Sequence, residues 1–346
     1  MLTFLKSTNE LSYLKEVYSQ TLQQELGHLE IAFTNFFKHN MKYPNFKSKY
    51  DRQSFSCPQN VKLDFKKQKV FIPKLKETVV KIDRKFNGEI KTCTVSKTTT
   101  DKYFVSILVE DNKELPTKKK VIDKTSIGID VGLKSFLVDS NNTIINNPKF
   151  YRNAEPRIKC LQKRLSKKVK GSSNSRKAQK RLALKHEYIA NQRKDFLHKL
   201  TTDIIKNQDT IFVEDLNVKG MIKNHNLAKS ISDVSWSEFF RQLKYKSDWN
   251  GKNVIEIGRF EPSSKMCNCG VINKELKLED RVWTCKECGS ENERDFLAAN
   301  NIKKFGLMKS VYTTRDTRGE SVEMSTLVES TKQKLMQATA LRNPRL

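Results

Sequence analysis

Three carboxylates and four cysteines are the residues of this chain whose placement suggests chemistry. Asp130 lies inside an apolar run, "IGIDVG", Glu214 ends another, "IFVED", and Asp295 opens a helix-like segment, "RDFLAANNI". Taken singly, each has an ordinary reading. Asp130 fits a turn, Glu214 with Asp215 fits a solvated strand end, and Asp295 fits the positive end of a helix dipole. Taken together they say more. A carboxylate within an apolar strand is costly unless it is paired or bound to metal. Three brought to one point would repel each other, and a hard divalent cation such as magnesium or manganese relieves that repulsion. Two such ions about 4 Å apart can activate a water and stabilise the leaving oxygen in phosphodiester cleavage.

The cysteines form a second set. "MCNCG" holds Cys267 and Cys269, and "CKECG" holds Cys285 and Cys288. Two such halves ordinarily make one four-thiolate zinc site, tetrahedral with Zn–S near ~2.3 Å. Here the first half has only Asn268 between its cysteines, so the two thiolates are expected to diverge unless the backbone kinks. The alternative is a weaker site, or three cysteines with another ligand. Cys57, Cys93 and Cys160 are isolated, which fits no secreted disulfide framework. A reducing, cytoplasmic setting is therefore expected, where clustered cysteines read as metal ligands.

The elements that must position these groups follow from the apolar pattern. Residues 9–38 carry Leu11, Leu14, Val17, Leu22, Leu26, Leu29, Phe33 and Phe36 at helical spacing. Between 43 and 110 the runs become short and β-branched, with the turn signal Asn87-Gly88, as in a small barrel or sandwich. Residues 111–124 read as a polar linker. Two strands are expected in "SIGIDVGLKSFLVDSNNTII", with turns at 131–134 and Asn141-Asn142. Helix follows over 155–207, broken by "KGSSNS" at 170–175. "DTIFVED" and "NVIEIGRF" read as strands, "WSEFFRQLKYKSDWNGK" as a helix stopped at Gly251, and "RDFLAANNIKKFG" as a short helix. From about 307 the chain is polar and weakly patterned, which predicts a flexible tail.

Charge suggests the partner. The 346 residues carry 66 Lys and Arg against 39 Asp and Glu, a formal net charge of +27. A compact chain with this excess repels itself, so a polyanion is the expected partner. The excess is spread out, which favours extended nucleic-acid contact over a targeting tail. Between Arg157 and Lys194 fourteen basic residues face one acid, Glu187. Near the N-terminus Phe46, Tyr50 and Phe55 interleave with Lys47, Lys49 and Arg52, a pattern that can grip a backbone and stack on bases; edge packing with solvated lysines is the plainer reading. No apolar run reaches the length of a membrane span, and "MLTFLKSTNE" lacks a signal-peptide core.

These motifs in this order resemble a known family. "SIGIDVGLKSF", "FVEDLNVKGM", the cysteine halves around "LKLEDRVWTC", and "RDFLAANNI" resemble TnpB, the transposon-encoded OrfB family related to type V CRISPR effectors. "LKEVYSQTLQQELGHLEIAFTNFF" and "FKSKYDRQSF" resemble its N-terminal half. The resemblance implies an α+β multidomain chain: a RuvC-like RNase H fold with a zinc-ribbon insertion, a small β-barrel wedge domain and a helical recognition segment. It divides the chain into a recognition segment (1–42), the wedge barrel (43–120), the RuvC-like domain (121–260, with a basic helical hairpin at 155–207), the zinc ribbon (261–291), a RuvC-like C-terminal helix (292–306) and a flexible tail (307–346).

The resemblance also implies an activity. It is RNA-guided, divalent-metal-dependent cleavage of double-stranded DNA, with base pairing reading the target and the protein a short flanking motif. Asp130, Glu214 and Asp295 match the catalytic acids and would hold Mg2+ or Mn2+; Cys267, Cys269, Cys285 and Cys288 would hold structural Zn2+. A guide RNA from the transposon end and the target DNA would be the partners. Lys47, Lys49, Arg52, Gln53, Lys163, Arg164, Lys167, Lys168, Arg176, Lys177, Lys180 and Arg181 are the nucleic-acid-binding candidates. Three departures stand out: family members have a barrel strand and helices ahead of the "LQQ" helix, an Asn where Leu297 stands, and a full first cysteine half. These departures motivate two other readings, a nuclease-impaired nucleic-acid-binding remnant or regulator, and a DNA-joining transposase.

Overall fold

The structure, a computed structural model, describes residues 2–48, 53–277 and 279–318, with side chains through Val311. The chain forms two compact units, Met1–Glu114 with Lys168–Leu184, and Leu115–Lys167 with Lys185–Leu346.

The first unit opens with α1 (Leu2–Ser7), a 3-10 stretch over Asn9–Lys15, and α2 (Ser19–His39). The continuous helix expected over 9–38 is therefore broken before Ser19. The reason is tertiary: Tyr18 is extended, its hydroxyl donates to Gln20 and accepts from Asn60, and its ring packs on the strand core. The apolar stripe of α2 stays largely open, with Thr21 its one buried residue. Six strands follow: β1 (Gln53–Cys57), β2 (Lys62–Asp64), β3 (Lys69–Ile72), β4 (Lys76–Val79), β5 (Glu89–Lys97) and β6 (Tyr103–Glu110). They pair as two antiparallel three-stranded sheets, β1-β5-β6 and β2-β3-β4. Cys57, Val70, Ile72 and Cys93 from both sheets form their common core.

The second unit is built on a five-stranded mixed sheet. Its strands are β7 (Ser126–Val131), β8 (Ser135–Asp139), β9 (Ile144–Asn146), β10 (Thr210–Glu214) and β11 (Asn253–Ile257). Their order is β11-β10-β7-β8-β9, with β10 parallel to both β7 and β11. Helices α3 (Phe150–Ser166) and α4 (Ser173–Asn207) precede β10, and the break between them falls where "KGSSNS" stands. Short α5 (Val218–Met221) and α6 (Ala228–Val234) lead into α7 (Trp236–Trp249), which ends ahead of Gly251 at φ +62°. A small hairpin, β12 (Val282–Thr284) with β13 (Glu291–Glu293), leads into α8 (Arg294–Arg318). This last helix runs twelve residues beyond the end expected at 306, and Leu307, just past that point, packs on the same apolar cluster as Ile302 and Phe305. The rest of the expected tail lies outside the described residues.

Residue parity explains why β7 and β10 read as nearly continuous apolar runs. Ile127, Ile129, Ile211 and Val213 face the core shared with Leu197, Ile205, Phe239 and Leu243 of α4 and α7. The alternate residues face α8: Phe212 packs with Ile302 and Phe305. Both faces are covered, as parallel strands require. Contact with α8 is close. A Cβ on Gly128 would lie 2.2 Å from the Ala299 carbonyl oxygen, and one on Gly306 would lie 2.0 Å from the Phe212 ring.

Candidate active site and metal centre

The acids are brought together by that same parity. Val213 of β10 stands opposite Ile129 of β7 in parallel register. The residues that follow, Glu214 and Asp130, therefore leave the sheet side by side on the face that α8 covers. Asp295 lies in the first turn of α8. Burial holds the Asp130 carboxyl well above the ordinary carboxylate range, helped by repulsion from Glu214 and Asp295; Arg294 and the Val131 backbone N–H pull it down without offsetting this. A buried carboxyl with two further carboxylates near enough to repel it is a donor set suited to a hard divalent cation.

Their oxygens are not drawn into one coordination sphere. Among the described residues the four cysteines are the one set of such ligand atoms lying mutually within 4.8 Å. Two of the acids are held by neighbours that sequence reasoning did not single out. Ser263 Oγ donates to Glu214 Oε1 at 2.5 Å. Arg281 Nη1 donates to both oxygens of Asp295, at 3.0 and 3.3 Å. Asp215 behaves as an ordinary strand-end acid and pairs with Arg259 at 2.6 Å.

The cysteine cluster answers the question raised by the shortened half. All four sulfurs converge, with Cys267 and Cys288 at 3.6 Å and Cys269 and Cys285 also at 3.6 Å. A tetrahedral zinc with ~2.3 Å bonds places its sulfurs about 3.8 Å apart, so the four cysteines can hold such an ion. The turn that makes this possible runs from Cys267 to Gly270. Gly270 adopts φ +92°, its N–H donates to the Cys267 carbonyl, and the Cys267 N–H donates to the Val271 carbonyl. Gly289 at φ +70° makes the corresponding turn after Cys288. The thiols share protons unevenly. Burial opposes ionisation of Cys267, but the Ser290 hydroxyl, a backbone N–H and neighbouring sulfurs draw it down to about 6, whereas burial chiefly pushes Cys269 up to about 12. Leu297, where the family has Asn, packs with Cys267, Leu276, Trp283 and Cys285 beneath this cluster.

The basic candidates are exposed wherever described. Lys47 lies in the irregular segment that follows α2, and Gln53 opens β1; Lys163, Arg164 and Lys167 close α3; Lys168, Arg176, Lys177, Lys180 and Arg181 follow. Lys180 pairs with Asp101 at 2.8 Å. Lys49 and Arg52 lie outside the described residues. Phe46 is fully exposed beside Lys47, whereas Tyr43 packs edge-on against Phe33 and Phe36.

With this geometry in place, similarity to known proteins is decisive. Residues 104–225 match the OrfB family model, described as a probable transposase, and residues 236–302 match that of the Cas12f1-like TNB domain. A Streptomyces pristinaespiralis protein named "Putative RNA-guided DNA endonuclease" is 37% identical over 313 residues, covering 89% of this chain and 77% of its own. The chain belongs to the OrfB (TnpB) family. A second family member, "Putative RNA-guided DNA endonuclease InsQ" of Escherichia coli strain K12, is 32% identical, covering 87% of this chain and 78% of its own. Among solved structures, the Cas12f1–sgRNA–target DNA complex aligns at 16% identity with a TM-score of 0.49, covering 80% of this chain and 69% of that one. The family matches span β6 to α5 and α7 to α8, so they include all three acids and all four cysteines.

Proposed function

We propose that this chain is an RNA-guided, divalent-metal-dependent DNA endonuclease of a transposable element. What supports it is Asp130 and Glu214 on adjacent strands with Asp295 near them at the start of α8, in a chain that shares 37% identity with a relative named for that activity. A divalent ion bound there would polarise the scissile phosphate and generate the attacking hydroxide. The chain supplies the carboxylates, a rigid sheet that fixes two of them, and a helix N-terminus that fixes the third. In this reading residues 121–260 with 292–306 form a RuvC-like nuclease core, and 261–291 a zinc ribbon held by Cys267, Cys269, Cys285 and Cys288. Residues 43–120 act as a wedge barrel and, with the helices of 1–42 and the basic stretch 155–207, hold guide RNA and target DNA. Among the described residues no helix is long and apolar enough to cross a membrane.

The test is cleavage. Protein purified with transposon-end RNA should cut guide-matched DNA in magnesium and ignore unmatched DNA. Asp130→Ala should abolish cutting while leaving guide-dependent DNA binding intact. Cutting that persists in this variant sinks the site assignment. The OrfB description as a transposase keeps a second reading open; joined rather than hydrolysed products in a strand-transfer assay would favour it.

A further inference from the structure

Between the cysteine cluster and the nuclease acids runs a buried polar connection. Glu214 Oε1 accepts from Ser263 Oγ at 2.5 Å. Ser263 is 7% exposed and sits in a tight turn: its N–H donates to the Glu261 carbonyl, and the N–H groups of Lys265 and Met266 donate to the Pro262 carbonyl. That turn is pinned from α8 by a single side chain. Asn301, with no exposed surface, donates through Nδ2 to the Ser263 carbonyl at 2.7 Å and to the Met266 carbonyl at 2.6 Å. Its Oδ1 has no hydrogen-bond partner. Because both acceptors are carbonyls, the amide is locked in one orientation; flipping it would set oxygen against oxygen. Met266 is followed directly by Cys267, the first thiolate of the cluster.

We infer that Ser263 and Asn301 are positioning residues for Glu214, forming a link that couples the orientation of its carboxylate to the first cysteine half. The terminal torsion of a glutamate is broad and roughly two-fold, so the strand that carries Glu214 does not by itself fix its oxygens. One hydroxyl donor fixes them, and it occupies one lone-pair direction while leaving the others for a cation. The hydroxyl is in turn fixed by its turn, and the turn by Asn301. Hydrogen-bonded neighbours of this kind, behind a metal ligand, typically matter 10–100-fold for metal affinity or activity. The inference rests on the nuclease reading, because it gives Glu214 a cation to receive.

The experiment is an Mn2+ titration of the zinc-loaded protein with its guide, followed by electron paramagnetic resonance, with Asp130→Ala defining the ions bound at the acids. Single-turnover cleavage is read against Mn2+ concentration in parallel. Ser263→Ala should weaken Asp130-dependent Mn2+ binding about 10-fold or more and shift cleavage to higher Mn2+, with zinc content unchanged. Ser263→Thr, which keeps the hydroxyl, should restore most of the affinity. Asn301→Leu should reproduce the Mn2+ defect and also lower zinc retention. Wild-type Mn2+ affinity in Ser263→Ala overturns the inference, as does a threonine variant as impaired as the alanine one, since that would mean packing alone. If Mn2+ binds the wild type in an Asp130-dependent way, only the Ser263 inference is lost by these results. If no such binding exists, the nuclease reading and the inference fall together.

Discussion

Replacing Gly128 with alanine tests whether helix α8 positions the third acid through its contact with the sheet. A Cβ there would sit 2.2 Å from the Ala299 carbonyl oxygen and 2.6 Å from the Lys303 nitrogen, where ordinary contact begins at 3.4 Å. Both near atoms are backbone, so no side chain can swing away. The helix must rise by roughly the difference, 3.4 − 2.2 = 1.2 Å, against β7. Ala299 is one turn along α8 from Asp295, so the displacement reaches that carboxylate with little damping. Overpacking of this kind costs about 1–3 kcal/mol. At roughly 2–4 °C per kcal/mol, the expected fall in melting temperature is a few degrees to about ten. A misplacement near 1 Å at a reacting centre costs about 100-fold in rate, so cleavage should drop far more than stability. Gly27→Ala is the matched control. It lies within α2 with nothing within 4 Å, and alanine there should stabilise the helix by up to ~1 kcal/mol. Melting curves, zinc content and single-turnover cleavage for both variants decide the matter. A Gly128→Ala protein with unchanged melting and cleavage would refute the claim that this close approach sets Asp295.

Three further outcomes are expected. In metal-free buffer Asp130→Asn should melt a few degrees above wild type, a gain of roughly 0.5–2 kcal/mol typical of relieved active-site strain, while cutting is lost. The sign follows from the raised folded pKa: wild-type stability is highest below the unfolded value and falls as pH rises from there toward the folded one, a slope the asparagine variant lacks and magnesium opposes. Chelating the cysteine-bound metal, or Cys269→Ser, should expose residues 261–293 to limited proteolysis while the five-stranded sheet stays protected, with elemental analysis reporting about one zinc per untreated chain. Asp233→Ala should cost roughly 3–5 kcal/mol in urea unfolding. That carboxylate is 4% exposed, accepts from the Tyr151 and Arg152 backbone N–H groups at the start of α3, and pairs with Arg193 at 3.0 Å, so its loss strands a partly buried guanidinium.

The acids were legible because their strands obey a simple parity. In "IGIDVG" and "IFVE" one set of alternate residues is apolar throughout, and the other carries glycine, phenylalanine and the carboxylate. Once the strands are parallel neighbours, shared parity places Asp130 beside Glu214. The length of α8 was not read beyond 306, although Leu307, Met308 and Val311 continue an apolar pattern there and Leu307 packs with Ile302 and Phe305. Tyr18 likewise breaks an otherwise continuous helical pattern through contacts with residues some forty positions away. Leu297, where the resemblance expects Asn, packs in the apolar base beneath the cysteines, a contact its place two residues after Asp295 does not reveal.

The shortened cysteine half carries the same point further. Counting residues between thiolates assumes that two intervening positions are needed to turn the chain, which holds when the turn lies between the cysteines. Here the turn runs from Cys267 to Gly270 and takes in Cys269 itself, and Asn268 within it points outward, where its Oδ1 accepts from Lys304 Nζ at 3.0 Å. Lys304 is on α8, the helix that also carries Asp295 and Asn301. The lone residue between the cysteines is thus a further tie between the cluster and the helix that bears the third acid. Neither Asn268, Ser263 nor Asn301 has a type that signals chemistry; each is a small polar residue whose role exists only once three distant segments meet. The shortened spacing still brings four sulfurs together, because the chain turns across residues 267–270 rather than within a two-residue gap.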